Sequence, residues 1–144
     1  MPGISKSALV SHTAAEMFAL VDDVSSYKEF LPWCGGSEEL SRDKDEVKAS
    51  VMISHSGLNK TFTTLNRLQK NKMIEIKLID GPFKHLYGFW KFESLSEDAC
   101  KISLDLEYEF SNMLLGLAIG PVFNQIANSM VDSFCQRAEV IYAK

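Results

Sequence analysis

The chain has 144 residues, of which 46% are hydrophobic and 24% are charged, and its formal net charge is −4. This composition suits one compact domain over residues 1–144 and makes it unlike a disordered chain. The net charge by itself argues against nucleic acid as a partner. No apolar run reaches the roughly 18 residues of a membrane span. The N-terminal segment lacks the features of a signal or transit peptide, so we expect a cytoplasmic protein.

Residues 3–11 predict a first strand, and two short helices follow it. Thr13 and Glu16 have the spacing of a capping box, in which both side chains bond to backbone N–H groups at a helix start. We therefore expect a first helix over Ala14–Val21 and a second near residues 25–30. The second helix ends before the LPWC segment, because the residue that precedes a proline disfavours helix.

Strand patterns then follow in series, separated by the turn-like segments HSGLN, QKN and DGP. The strands are predicted at residues 47–55, 60–68, 72–79, 85–95 and 102–110. The last strand is the clearest, because apolar and polar residues alternate from Lys101 to Phe110. A slip of one residue would bury its carboxylates, so the register of this strand is specified by its sequence.

The last thirty residues change to a helical period. Ile119, Phe123, Ile126, Met130 and Phe134 recur at spacings of three and four, which predicts a long amphipathic helix. The Gly-Pro pair before Phe123 predicts either the start of this helix or a bend within it.

This order of elements predicts an α+β fold. A curved antiparallel sheet of six to seven strands is expected to wrap around the long C-terminal helix. Packing between a concave sheet and a single helix is rarely complete, so we expect a space for a ligand between them.

The segment GPFKHLYGFW, residues 81–90, indicates what could line that space. If it is a strand, Leu86, Gly88 and Trp90 share one face. A glycine in mid-strand leaves room where a side chain would otherwise pack. Trp33 and Phe83 lie in Pro- and Gly-rich loops, where large apolar side chains either guard an entrance or anchor the loop. The aromatic residues thus line either a solid core or a pocket.

Residues suited to catalysis are few. His12, His55 and His85 are scattered without the spacing of a metal site, and no motif for a nucleophile or for a phosphate loop occurs. His55 ends an inward-facing row, so it acts either as a base inside a cavity or as a strand-end residue bonded to backbone. We expect no catalytic residue, no metal and no enzymatic activity, with a cyclase as the third-ranked alternative.

The three cysteines, Cys34, Cys100 and Cys135, are an odd number without a C-x-x-C spacing. This pattern predicts buried or half-buried free thiols rather than disulfides or a zinc site.

The basic residues are concentrated in one part of the chain. Residues 60–91 hold seven basic and two acidic residues, whereas the rest of the chain holds eight basic and seventeen acidic residues. The lysines either keep the solvent face of adjacent strands soluble or form a basic face for phosphates. The candidate phosphate contacts are Lys60, Arg67, Lys70, Lys72, Lys77 and Lys84.

Four segments, in their order and spacing, carry a resemblance that covers nearly the whole chain. They are FLPWCGG, FTTLNRL, IDGPFKHLYGFWKF and VFNQIANSMVDSFCQRAEVIY. They resemble the coenzyme Q-binding and ribosome association toxin family of the START-like (polyketide cyclase/lipid transport) superfamily. The resemblance implies a helix-grip fold with a hydrophobic tunnel between sheet and C-terminal helix.

The resemblance also implies two functions. The first is binding of ubiquinone or a similar polyprenyl lipid in support of respiratory electron transport, with no cofactor required. The second is association with the large ribosomal subunit, which blocks its joining with the small one; an antitoxin is then a further possible partner. The implied ligand-binding residues are Leu31, Trp33, Phe62, Phe83, Leu86, Gly88, Trp90, Leu104, Tyr108, Phe123, Met130 and Phe134. In this interpretation Gly88 lets an apolar tail pass close to the strand.

Overall fold

A computed structural model describes residues 3–55 and 57–142, so the ends of the predicted 1–144 domain and Ser56 lie outside the described residues. Seven strands form one antiparallel sheet in the order β1-β7-β6-β5-β4-β3-β2. The elements are β1 (Gly3–Val10), α1 (Ala14–Asp22), α2 (Tyr27–Phe30), β2 (Cys34–Asp43), β3 (Glu46–His55), β4 (Leu58–Gln69), β5 (Met73–Asp80), β6 (Phe83–Ser96), β7 (Ala99–Phe110) and α3 (Met113–Ile141). The predicted α+β class and the helix-grip arrangement are confirmed.

Helix α1 begins where the capping box predicts. The backbone N–H of Glu16 donates to the Thr13 hydroxyl at 3.0 Å, and the N–H of Thr13 donates to the Glu16 carboxylate at 2.9 Å. A 3-10 turn over Val24–Ser26 then leads into the short helix α2. The two short helices after the first strand are therefore confirmed.

The segment between α2 and β3 forms a strand, β2, that the sequence pattern did not predict. It lies at one edge of the sheet and pairs with β3 alone. Most of its residues are exposed, and its pairing shifts register between Cys34 and Gly36 and again between Glu39 and Ser41. Bulges and exposure on both faces remove the two-residue alternation by which a strand is recognised.

Strand β7 has the predicted register. Its inward residues pair with inward residues of both neighbours: Leu104 lies opposite Trp90 of β6, and Ile102 lies opposite Ala8 of β1. The carboxylates of β7 lie on the outer face, as the alternation requires.

Helix α3 begins earlier than the Gly-Pro pair. Asn112 caps it, because its side-chain oxygen accepts the backbone N–H of Leu115 at 2.9 Å. Pro121 therefore lies inside the helix, and the alternative that the helix starts there is wrong. Since proline has no N–H, the carbonyl of Leu117 lacks its usual partner one turn later.

Helix α3 packs along the concave face of the sheet through its buried residues. The ring of Phe134 lies 5.3 Å from that of Trp90 on β6 and 5.3 Å from that of Tyr27 on α2. By length and mean hydropathy (1.3), α3 also meets the criterion for a membrane-crossing helix. Core helices of globular proteins meet the same criterion, and the buried residues of α3 pack against the sheet.

Candidate functional site: an apolar cavity between sheet and helix

A cavity of about 100 Å³ lies between the inner face of the sheet and α3. Seventeen residues from the 3-10 turn, α2, the loop before β2, five strands and α3 line it. They are Val24, Tyr27, Trp33, Ala49, Val51, Phe62, Thr64, Asn66, Ile76, Leu86, Trp90, Leu104, Leu106, Phe123, Ile126, Ala127 and Met130.

The cavity exists because small side chains occupy inward positions on opposite walls. Ala49 on β3 and Ala127 on α3 are each only 2% exposed, and both line the space. A larger apolar residue at either position would extend into the volume that is now empty. These two alanines are site residues that sequence reasoning missed, although each lies in phase with the inward-facing residues of its element.

Seven of the twelve predicted ligand-binding residues lie on the wall of this cavity. They are Trp33, Phe62, Leu86, Trp90, Leu104, Phe123 and Met130. The other five, Leu31, Phe83, Gly88, Tyr108 and Phe134, do not line it. The sequence pattern gave the inward face correctly, but not the part of that face that borders empty space.

Four of those five residues are packed in the core around the cavity. Phe83 contacts Phe123 with ring centroids 4.9 Å apart, and Tyr108 contacts the same ring at 4.7 Å. Leu31 and Phe134 are also fully buried. Phe83 begins β6 rather than lying in a loop, and it is a core residue rather than a guard of an entrance.

The interpretation of Gly88 as room for a ligand tail is wrong. A Cβ atom at this position would lie 2.3 Å from the backbone oxygen of Asp105 and 2.8 Å from Cδ1 of Leu106, both on β7. Gly88 therefore permits the close approach of β7 to β6, and the space next to it is filled by the neighbouring strand.

The polar groups on the cavity wall are few. The hydroxyl of Thr64 donates to the side-chain oxygen of Asn66 at 2.9 Å. The indole Nε1 of Trp33 is buried without a hydrogen-bond partner among the described residues. Tyr27 donates its hydroxyl to the carbonyl of Val21, and burial, reinforced by the nearby carboxylates, raises the pKa of this tyrosine well above its usual value.

The histidines do not form a catalytic group. His55 is exposed at the end of β3 and does not line the cavity, so it is not a base inside the cavity. His12 bonds Glu139 at 3.0 Å, and His85 lies 3.8 Å from Glu107 on the outer face. Within residues 3–55 and 57–142, no three His, Cys, Asp or Glu side chains gather as metal ligands would.

The cysteines are free, as predicted. Cys34 and Cys100 are buried and Cys135 is half-buried. Burial raises the pKa of all three thiols, so they are protonated at neutral pH.

The size of the cavity limits what it can hold in this conformation. Sites for small molecules usually measure about 300–1,000 Å³, whereas a cavity of about 150 Å³ binds benzene in an engineered protein. This cavity is smaller than the one that binds benzene, so a substituted ring or a polyprenyl tail would need the walls to move. The first turns of α3, before Pro121, carry exposed apolar residues, with Met113 81% and Leu117 72% exposed.

The predicted basic contacts do not form one continuous face. Lys70 and Lys72 lie in the β4–β5 turn, whereas Lys60 and Lys84 lie near the opposite ends of β4 and β6. Arg67 forms an ion pair with Glu46 at 3.2 Å. Lys77 lies between these groups on the exposed side of β5, and the carboxylates of β7 occupy the outer face two strands away.

The sequence was also compared with known proteins. The family described as "Polyketide cyclase / dehydrase and lipid transport" matches residues 10–135. Ribosome association toxin RatA from Escherichia coli K12 is 48% identical over 99% of this chain and 90% of its own length. The mitochondrial coenzyme Q-binding protein COQ10 of Drosophila melanogaster is 26% identical over 92% of this chain and 56% of its own length.

Among solved structures, the Zhui aromatase/cyclase from a Streptomyces species superposes with a TM-score of 0.82, covering 96% of this chain and 93% of that one. At 15% identity, this likeness shows a common fold and nothing about activity. The fold, the sequence relatives and the match over residues 10–135 agree. The chain belongs to the polyketide cyclase/dehydrase and lipid transport family.

Proposed function

We propose that this protein associates with the large ribosomal subunit and hinders its joining with the small one. The observation that carries the proposal is the 48% identity, over 99% of this chain, to a protein named as a ribosome association toxin. No catalytic step is needed for this activity, since a bound protein blocks a subunit interface by occupying it.

The β4–β5 turn and the adjacent end of β6 offer a local basic surface for ribosomal RNA. Lys70 and Lys72 are exposed in the turn, and Lys91 lies opposite Met73 on the neighbouring strand. None of these three lysines forms an ion pair within the described part of the chain. Because the net charge is −4, a contact with RNA has to be local.

Sedimentation of ribosomal subunits with the purified protein tests this proposal. The protein should travel with the large subunit at low salt and lower the yield of joined ribosomes, and both effects should fall steeply as salt rises. The double variant Lys70→Glu/Lys72→Glu should lose both effects. Lys6→Glu/Lys28→Glu changes the net charge equally at two exposed positions away from this turn, on β1 and α2, and should keep them. Absence of the protein from the subunit fractions at low salt would refute the proposal.

A second function, binding of a neutral apolar ligand such as an isoprenoid quinone, is favoured by the cavity. Its wall is mostly apolar and, among the described residues, contains no carboxylate, lysine, arginine or histidine. Such a wall holds a ligand by burial, worth about 0.8 kcal/mol for each CH₂ group, and offers no general acid or base for a cyclase. A relative that is named for coenzyme Q binding supports a quinone as the ligand.

Solvent extraction of the purified protein, followed by mass spectrometry, tests the second function. Ala127→Leu should place three more carbons in the cavity and lower the amount of ligand recovered per chain. Ala118→Leu makes the same change at an exposed position of α3 and should not alter recovery. If Ala127→Leu folds normally and retains its full ligand, then the cavity is not the binding site.

A further inference from the structure

The charge of the cavity wall determines which head groups it can accept. Within residues 3–55 and 57–142, Tyr27 is the one ionisable residue that lines the cavity, and its hydroxyl already donates to the Val21 carbonyl. A carboxylate or phosphate group that entered this space would lose its hydration without gaining a counter-charge. Burying an unpaired charge costs far more than burying a neutral polar group, so the wall disfavours fatty acids and phospholipids.

Two side chains on the wall, Asn66 and Trp33, have N–H groups that the hydrogen bonds described above do not use. The side-chain oxygen of Asn66 accepts from Thr64 at 2.9 Å, which leaves the Asn66 amide N–H groups to face other partners. The Nε1–H of Trp33 is buried, has no partner among the described residues, and is a donor only. An unpaired buried donor is unfavourable, so a ligand that supplies an acceptor would remove that cost.

We propose that this cavity selects uncharged ligands that carry an acceptor oxygen, such as a quinone or ketone, and that Asn66 and Trp33 provide the donors. The proposal rests on the second function above, and it names the specificity-determining residues of that site. The two donors lie near opposite ends of β3. Asn66 is paired with Val47 near the start of this strand, whereas the Trp33 carbonyl accepts the backbone N–H of Ser54 near its end. Each donor is therefore tested separately.

Three ring compounds of similar size distinguish the effects of an acceptor oxygen, of shape and of charge on binding. Duroquinone is neutral with two carbonyl acceptors, durene has a similar shape without acceptors, and 2,4,6-trimethylbenzoate is an anion. Equilibrium dialysis against the purified protein measures the binding of each. Duroquinone should bind more tightly than durene, and trimethylbenzoate should not bind measurably.

The variants Asn66→Leu and Trp33→Phe should each lower the ratio of duroquinone affinity to durene affinity about 3- to 10-fold, the usual effect of losing one hydrogen bond. Asn128→Leu, at an exposed position of α3, is the matched control. Thermal unfolding of each variant establishes that it is folded.

The outcomes distinguish this proposal from the function on which it rests. If duroquinone and durene bind equally and neither variant changes the ratio, the donor proposal is overturned and apolar binding stands. Equal binding of trimethylbenzoate would overturn the exclusion of charge. If no compound binds and extraction recovers no ligand, then both the selectivity and the ligand-binding function fail.

Discussion

The hydroxyl of Tyr108 on β7 donates a hydrogen bond to the side-chain oxygen of Asn124 on α3. Tyr108 is almost fully buried, and its ring contacts that of Phe123, the next residue along the helix. The bond therefore joins the sheet to α3 one turn after Pro121 and beside the cavity. Tyr108 was predicted to contact a ligand, but it does not line the cavity. Its bond instead positions the helix that covers the cavity.

Removing this bond should lower the free energy of unfolding modestly. We expect Tyr108→Phe and Asn124→Ala each to cost about 0.5–1.5 kcal/mol, the net value of one hydrogen bond. Urea unfolding of the two single variants and the double variant completes a mutant cycle. The second substitution should cost less in the presence of the first, whereas strictly additive costs would show that the bond contributes nothing.

Gly88 and Gly36 should respond differently to the same substitution. A Cβ at Gly88 would lie 2.3 Å from a backbone oxygen, whereas a Cβ at Gly36 would meet only the flexible end of Met52 at 3.8 Å. Overpacking typically costs 1–3 kcal/mol, and more when backbone must move. Gly88→Ala should therefore lower the unfolding midpoint in urea clearly, and Gly36→Ala should not. Equal midpoints would show that β6 and β7 separate easily.

Tyr27→Phe should destabilise the protein in a way that depends on pH. At pH 7 the variant leaves the carbonyl of Val21 without its partner, at a cost of about 1–3 kcal/mol. Burial raises the pKa of Tyr27 in the folded state, whereas an unfolded tyrosine ionises near pH 10. The stability that Tyr27 contributes is thus complete below pH 10 and is lost as pH rises above it.

The difference in unfolding free energy between wild type and Tyr27→Phe should consequently shrink between pH 9 and pH 11. Urea unfolding at several pH values measures it. The other three tyrosines are present in both proteins, so their ionisation affects both alike. A difference that stays constant across this range would contradict the buried position of the Tyr27 hydroxyl.

Pro121→Ala should stabilise the protein. Pro121 is exposed, and an alanine there restores an N–H that can bond the carbonyl of Leu117. A proline in a helix interior costs roughly 3 kcal/mol, so we expect a gain of up to about that amount in thermal and urea unfolding. A loss of stability would indicate that the proline gives α3 a shape that its packing on the sheet requires.

Much of the fold could be predicted because its signals are local. The capping box at Thr13 and Glu16, the alternation along β7 and the helical period of α3 each depend on residues close together in the chain. Strand β2 was missed for the same reason. Its edge position and its bulges, which depend on β3, leave no regular pattern in its own sequence.

The sequence by itself determined which residues face inward, since a period of two or of 3.6 assigns a face without knowledge of the partner. Only the tertiary structure decided which inward residues border empty space. Trp90 and Phe134 contact each other, yet Trp90 lines the cavity and Phe134 does not. A void results from the combined sizes of side chains on elements far apart in sequence, such as Ala49 and Ala127. A periodic pattern within one helix or strand contains no information on the combined side-chain sizes of several elements.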